Sequence, residues 1–132
     1  VLRVKLARIE QWNEARRTHA ARYIEALSDL PLKLPVSKPE NYHIYHQFTL
    51  RFDKRDQLKA RLQERGVGSA VFYPSPLHLQ HAYKPLNYKQ GDFPEAEKAA
   101  NEVLSLPVYP ELTAEEVETV AAAVRESVLE LI

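Results

Sequence analysis

HIYHQFTLRFD, residues 43–53, alternates apolar and polar side chains, and its reading decides the fold. Ile44, His46, Phe48, Leu50 and Phe52 point to one side, while Tyr45, Gln47, Thr49 and Arg51 point to the other, the period of a half-buried strand. His46 is the one polar member of the apolar face. Before this strand, Pro31, Pro35 and Pro39 mark an extended connection. Upstream of that, Leu2, Leu6, Ile9, Ala20, Ile24 and Leu27 recur near helical spacing, with charged residues over much of the rest. The spacing predicts one long helix over 2–28, ended by Ser28-Asp29-Leu30-Pro31 because Pro31 cannot donate to a helical ladder.

Downstream, Asp53 is placed to cap a helix carrying Leu58 and Leu62 and stopped at Gly66. Val67–Tyr73 reads as a second strand closed by Pro74. Asp92, Pro94 and Glu95 start a helix to about Leu104. Ser105–Tyr109 reads as a third strand, and Thr113-Ala114-Glu115-Glu116 is a capping box for a last helix with Val117, Val120, Val124 and Val128 inward. Helix, strand, helix, strand, loop, helix, strand, helix is an α/β (α+β) order around a small sheet.

Composition sets the function classes. The chain has 132 residues, 18 Lys+Arg against 18 Asp+Glu, and neither Cys nor Met. At that length it forms one domain burying roughly 65–70% of the extended chain's surface. Balanced charge argues against a nucleic-acid or membrane-surface partner. No stretch approaches the ~20 apolar residues of a membrane span, and a cytoplasmic location is expected. The absence of Met together with helical periodicity from Val1 suggests a piece of a longer protein.

Chemistry-bearing motifs are few. His43/His46 and His78/His81 are i, i+3 pairs, but a strand sends the first pair to opposite faces, and no acidic residue completes a ligand set for the second. No metal site is expected. Gly66-Val67-Gly68 lacks a third glycine and follows a helix, the reverse of a dinucleotide-binding turn. No serine sits in a nucleophile elbow, and the lysines lie in polar stretches. What remains is YPSPLHLQHAY, residues 73–83, where prolines stiffen a loop that presents Tyr73, His78, Gln80 and Tyr83. Such a loop serves equally as the rim of a polar-ligand site or as the cover of a strand end.

That loop opens a run, residues 73–120 (YPSPLHLQHAYKPLNYKQGDFPEAEKAANEVLSLPVYPELTAEEVETV), that resembles the C-terminal part of the DegT/DnrJ/EryC1/StrS sugar aminotransferases. VLRVKLARIEQWNEAR (1–16), YHIYHQFTLRF (42–52) and RDQLKARLQERGVGSAVFY (55–73) agree in order. The resemblance implies the small C-terminal domain of a fold-type-I aminotransferase: a small, mostly antiparallel sheet packed by helices (31–132), preceded by a long interdomain helix (1–30). It implies an enzyme dependent on pyridoxal phosphate (PLP), working as a homodimer and moving an amino group from glutamate to a keto or aldehyde carbon of a nucleotide-linked sugar. A minority of relatives are dehydratases on the same cofactor, and a stand-alone binding or interaction domain is the other alternative.

The family's Schiff-base lysine, the acidic partner of its pyridine nitrogen and its main phosphate-binding groups lie in the N-terminal large domain. The Asn and Arg it gives across the dimer would fall before Val1. This chain alone is therefore expected to be inactive, with no catalytic residue and no firm PLP site, and to partner its own large domain. By the resemblance, Tyr73 and His78 line the substrate side. Arg51, closing the first strand, matches an Arg able to hold a substrate carboxylate, and Tyr45 and His46 match a strand motif read as structural. Val1–Leu6 would cover the large domain; in the isolated chain it would drive self-association.

Overall fold

The computed structural model describes residues 2–132. Two helices, α1 (Leu2–Leu6) and α2 (Ile9–Leu27), open the chain. They are followed by β1 (Phe48–Arg51), α3 (Arg55–Glu64), α4 (Pro94–Glu102), β2 (Val103–Leu106) and α5 (Ala114–Leu129). Between α3 and α4 the chain makes two short 3-10 turns, Leu77–Leu79 and His81–Leu86.

The single helix expected over 2–28 is thus interrupted at Ala7-Arg8, where Arg8 (φ −114°, ψ 0°) precedes α2 without a side-chain cap. Periodicity was present, but burial was not: Leu2, Val4 and Leu6 are 78%, 76% and 64% exposed. Without packing, five residues cannot hold a helix in line with the next, since propagation needs tertiary support. The C-terminal half of α2 behaves as expected, with Ala20, Tyr23 and Leu27 fully buried.

β1 and β2 pair antiparallel in the register Phe48↔Leu106, Thr49↔Ser105, Leu50↔Leu104 and Arg51↔Val103. Phe48, Leu50, Leu104 and Leu106 therefore share one face, and all are buried in one cluster with residues of α2, α3 and α5. On the other face the Thr49 and Ser105 hydroxyls lie 2.8 Å apart, each satisfying the other. Single bridges extend the sheet on both sides, Lys33 with Arg51 and Ala70 with Ser105.

Three strand expectations are corrected. The strand read over 43–53 narrows to Phe48–Arg51. Upstream, Tyr45 sits at φ +47°, its N–H donates to His43 Nδ1 at 2.9 Å, and its ring is buried against Phe48. Arg17 of α2 clamps this segment, donating to the His43 carbonyl at 2.9 Å and lying 4.4 Å over the Tyr42 ring. The chain there follows a helix instead of a ladder, so Tyr45 turns inward while Ile44 (38%) and His46 stay exposed. Val67–Tyr73 forms only the Ala70 bridge. The third strand begins at Val103, because α4 ends at Glu102 and the chain passes straight into β2.

Caps follow the sequence closely. Thr113 and Glu116 complete both bonds of the capping box on α5. Asp53 is displaced by one: Lys54 is the N-cap of α3, and Asp53 Oδ1 accepts the Lys54 N–H at 2.8 Å. At the other end of α3, Gly66 N–H donates to Gln63 and Val67 N–H to Leu62, with Gly66 at φ +74°, a left-handed helix end closed by two buried apolar residues. Gly66→Ala should destabilise the chain by about 1–2 kcal/mol through its backbone conformation alone, as no atom lies within 4 Å of the added carbon. Gly68→Ala, in equally open space at an ordinary φ, should be neutral or slightly stabilising. Paired urea titrations check the contrast; equal losses at the two sites would contradict it.

The phenol of Tyr23 donates to the Pro107 carbonyl at 3.0 Å. Burial pushes its pKa well above the ordinary tyrosine range, so it remains a donor. At the periphery Arg125 grips Asp29 through two bonds of 2.9 and 2.5 Å, tying α5 to the end of α2.

The exposed face of α1 sets a further expectation. Leu2 and Leu6, about one turn apart, and Val4 on the other side all leave apolar surface that water opposes; Val1, part of the same expectation, lies outside the described residues. Sedimentation of this chain should show association rising with concentration, and Leu2→Glu with Leu6→Lys should return it to monomer. A clean monomer for the unsubstituted chain at high concentration would contradict this.

Candidate functional site

The loop 73–93 leans on α4, and α4 positions the candidate residues. Pro94 occupies its first turn with Glu95 and Glu97, the arrangement favoured by a fixed φ and a helix N-terminal dipole. Ala96, Ala99 and Ala100 leave room on one side. There Tyr73, 73% exposed, borders a cleft of about 250 Å³ with Pro76, Leu77 and Ala96. Next to it His78, Tyr83, Leu86, Tyr88 and Phe93 surround a second cleft of about 380 Å³, which also includes Leu77 and Ala96. Tyr73 and His78 are therefore brought to adjoining clefts.

The His78 side chain is only 7% exposed. Its ring lies 4.9 Å from that of Phe93, and Nε2 is 3.1 Å from Glu97 Oε1. The same oxygen accepts the Gly91 N–H at 2.7 Å. That backbone bond, with the His78 contact behind it, holds the Glu97 carboxyl below the usual glutamate range. Gln80 is spent inside the loop, donating to the Ser75 carbonyl at 3.2 Å. Only part of the loop's polar content thus faces outward.

Arg51 lies elsewhere. Its cleft of about 410 Å³ is lined by Lys33, Lys54, Lys98 and Glu102 and shares no residue with the other two. Arg51 Nε donates to Glu102 Oε2 at 2.9 Å, and Nη2 is 2.8 Å from the same oxygen. Its guanidinium already has a carboxylate, supplied by α4. The acids Glu97 and Glu102 were not singled out as site residues in the sequence; Pro94-Glu95-Ala96-Glu97 reads as a helix start, and nothing in it points to His78. A further cleft of about 470 Å³ beside the Ala70–Ser105 bridge includes His46 and Gln47, which strand alternation places on opposite faces of a sheet.

The model of the DegT/DnrJ/EryC1/StrS aminotransferase family matches residues 1–125. The chain belongs to that family. It is 46% identical over 129 residues to a pleiotropic regulatory protein of Geobacillus stearothermophilus, a match covering 96% of this chain and 35% of the relative. It is 41% identical over 127 residues to the dTDP-3-amino-3,4,6-trideoxy-alpha-D-glucose transaminase of Streptomyces venezuelae, covering 96% and 34%. The crystal structure of S. venezuelae DesV superposes with a TM-score of 0.92 at 41% identity, again over 96% of this chain and 34% of that one. The chain thus spans about a third of the length of these family members and matches a C-terminal portion of them.

Among the described residues no helix is long and apolar enough to cross a membrane.

Proposed function

We propose that this chain is the small domain of an aminotransferase that moves an amino group from glutamate to a keto or aldehyde carbon of a nucleotide-linked sugar. The observation that carries the reading is the 41% identity to the S. venezuelae transaminase over 96% of this chain, supported by the DesV superposition. We divide the chain into an interdomain segment, 1–30, and the small domain proper, 31–132.

The cofactor of such chemistry, PLP, would need an anchoring lysine amine and a built seat for its phosphate. The lysines here do not offer one. Lys5, Lys33, Lys38, Lys84, Lys89 and Lys98 are exposed and Lys54 and Lys59 half-buried, and the Lys54 amine donates to the Leu131 carbonyl. We assign the cofactor to the large domain, and with it the bond-making steps. The role left to this chain is binding and orientation on the sugar side. Tyr73 is the outward-reaching group there, and His78 is the stiffened one behind it. Arg51 is already engaged with Glu102 through Nε, so a substrate carboxylate would share the guanidinium through its other N–H groups or displace Glu102. The whole enzyme is proposed to be cytoplasmic, as its nucleotide-linked substrate and glutamate suggest, and a homodimer, as membership of the family suggests.

The name of the Geobacillus relative favours a second reading, a regulatory binding protein on the same scaffold. One experiment separates the possibilities. The full-length protein, supplied with PLP, glutamate and a panel of nucleotide-linked keto-sugars, should release 2-oxoglutarate and yield an amino-sugar by mass. Loss of water from the sugar without nitrogen gain would make it a dehydratase. No turnover with any keto-sugar would favour the regulatory reading.

A further inference from the structure

We infer that Glu97 is a positioning residue for His78, fixing which ring nitrogen the imidazole presents to the sugar-nucleotide substrate. The inference rests on the proposed placement of His78 on the substrate side and adds a residue to it.

The geometry is a relay of three groups. A carboxylate can only accept hydrogen bonds, so the 3.1 Å contact between Glu97 Oε1 and His78 Nε2 requires the proton on Nε2. Nδ1 is then the lone-pair nitrogen of the neutral ring, able to accept from a sugar hydroxyl. Glu97 is itself held. Its Oε1 takes the Gly91 N–H at 2.7 Å, delivered by a turn in which Gly91 sits at φ +95°, a conformation glycine adopts without strain. The turn is closed by Asp92 Oδ2, which accepts the Lys89 N–H at 2.8 Å.

Burial gives the relay its force. The side chains of His78 and Glu97 are 7% and 16% exposed, and the Phe93 ring covers the imidazole at 4.9 Å. In that setting an imidazole without its acceptor would bury an unpaired N–H or turn over and offer the other nitrogen. A histidine oriented by a carboxylate on its far nitrogen is a general device for setting tautomer and ring direction. Glu97 sits on α4 next to Ala96, which lines the cleft, and this makes it the fixed member. His78 stands on a short 3-10 turn and is the member being fixed.

The test uses the full-length protein and reads the ratio of kcat/KM for the keto-sugar nucleotide to kcat/KM for glutamate. Glu97→Leu keeps the volume but removes the acceptor, and should lower the ratio by about 10–100-fold. Glu97→Gln, which keeps an acceptor oxygen, should recover most of the loss. Glu97→Leu combined with His78→Ala should be no worse than His78→Ala alone, because both changes break one relay. Nitrogen-15 NMR of the histidine rings in the unsubstituted protein should show His78 protonated on Nε2. Additive losses, a ratio moved less than twofold by Glu97→Leu, or a proton found on Nδ1 with Nε2 bare would each overturn the inference. Should the full-length protein transfer no nitrogen, the aminotransferase reading fails, and the ring-nitrogen spectrum alone then decides the Glu97 relay.

Discussion

Phe48→Ala lowers the unfolding free energy of this chain by about 3–5 kcal/mol, the range for emptying a buried aromatic site. Phe48 is fully buried at the start of β1. It meets the Tyr23 ring at 5.0 Å and the Tyr45 ring at 6.3 Å, and it stands opposite Leu106 in the sheet. One side chain therefore joins α2, the clamped segment before β1, and β2. Small domains hold only about 5–15 kcal/mol in total, so the loss would leave the chain near its threshold. The control is Ile44→Ala. The alternation assigns Ile44 to the same face as Phe48, but the structure leaves it 38% exposed, and its truncation should cost less than about 1 kcal/mol. Equal costs in urea titrations would restore the full-length strand and contradict the clamped turn at Tyr45.

Arg55→Met should cost about 2–4 kcal/mol, from two carbonyls each losing a charged donor at roughly 1–3 kcal/mol when buried. Arg55 begins α3 and is 7% exposed. Its Nη1 donates to the Ala100 carbonyl at 3.2 Å and the Val103 carbonyl at 2.9 Å. Those carbonyls flank the point where α4 passes directly into β2, a helix end that has no intervening loop to hydrate it. Nε also pairs with Asp56 Oδ1 at 2.6 Å, but the Asp56 side chain is 84% exposed, so that pair adds little. Asp56→Asn should accordingly be near neutral while Arg55→Met is not. Because α4 also carries Glu97 and Glu102, loosening its end should reach the candidate site before the core unfolds. A loss under 1 kcal/mol for Arg55→Met would show that the junction holds itself.

The parts of the fold legible in the sequence are those where local chemistry and burial agree. α5 reads from its capping box to Val128, and Gly66 ends α3 because its left-handed conformation and the buried Leu62–Val67 pair coincide. Legibility fails where a tertiary contact overrides the period. Arg17 holds 42–45 against α2, so the strand starts at Phe48, five residues later than the alternation, and α1 lies exposed among the described residues, so its periodicity has no packing to express. Val67–Tyr73 has strand composition but meets β2 at one residue only. At the site, Tyr73 and His78 come from the Pro-rich loop and the resemblance. Their partners could not be read, because Glu97 lies nineteen residues from His78, and Arg51's engagement with Glu102 spans fifty-one. Contacts of that separation leave no periodic trace.

On the proposed reading these residues shape and orient, while the cofactor chemistry belongs to the rest of the enzyme. The direct measurement is visible absorbance on addition of PLP to this chain and to the full-length protein, followed by glutamate. The full-length protein should develop a protein-bound cofactor band that glutamate bleaches, and this chain should leave the spectrum of free PLP unchanged. A glutamate-sensitive band on the chain alone, or none on the full-length protein, would contradict the claim.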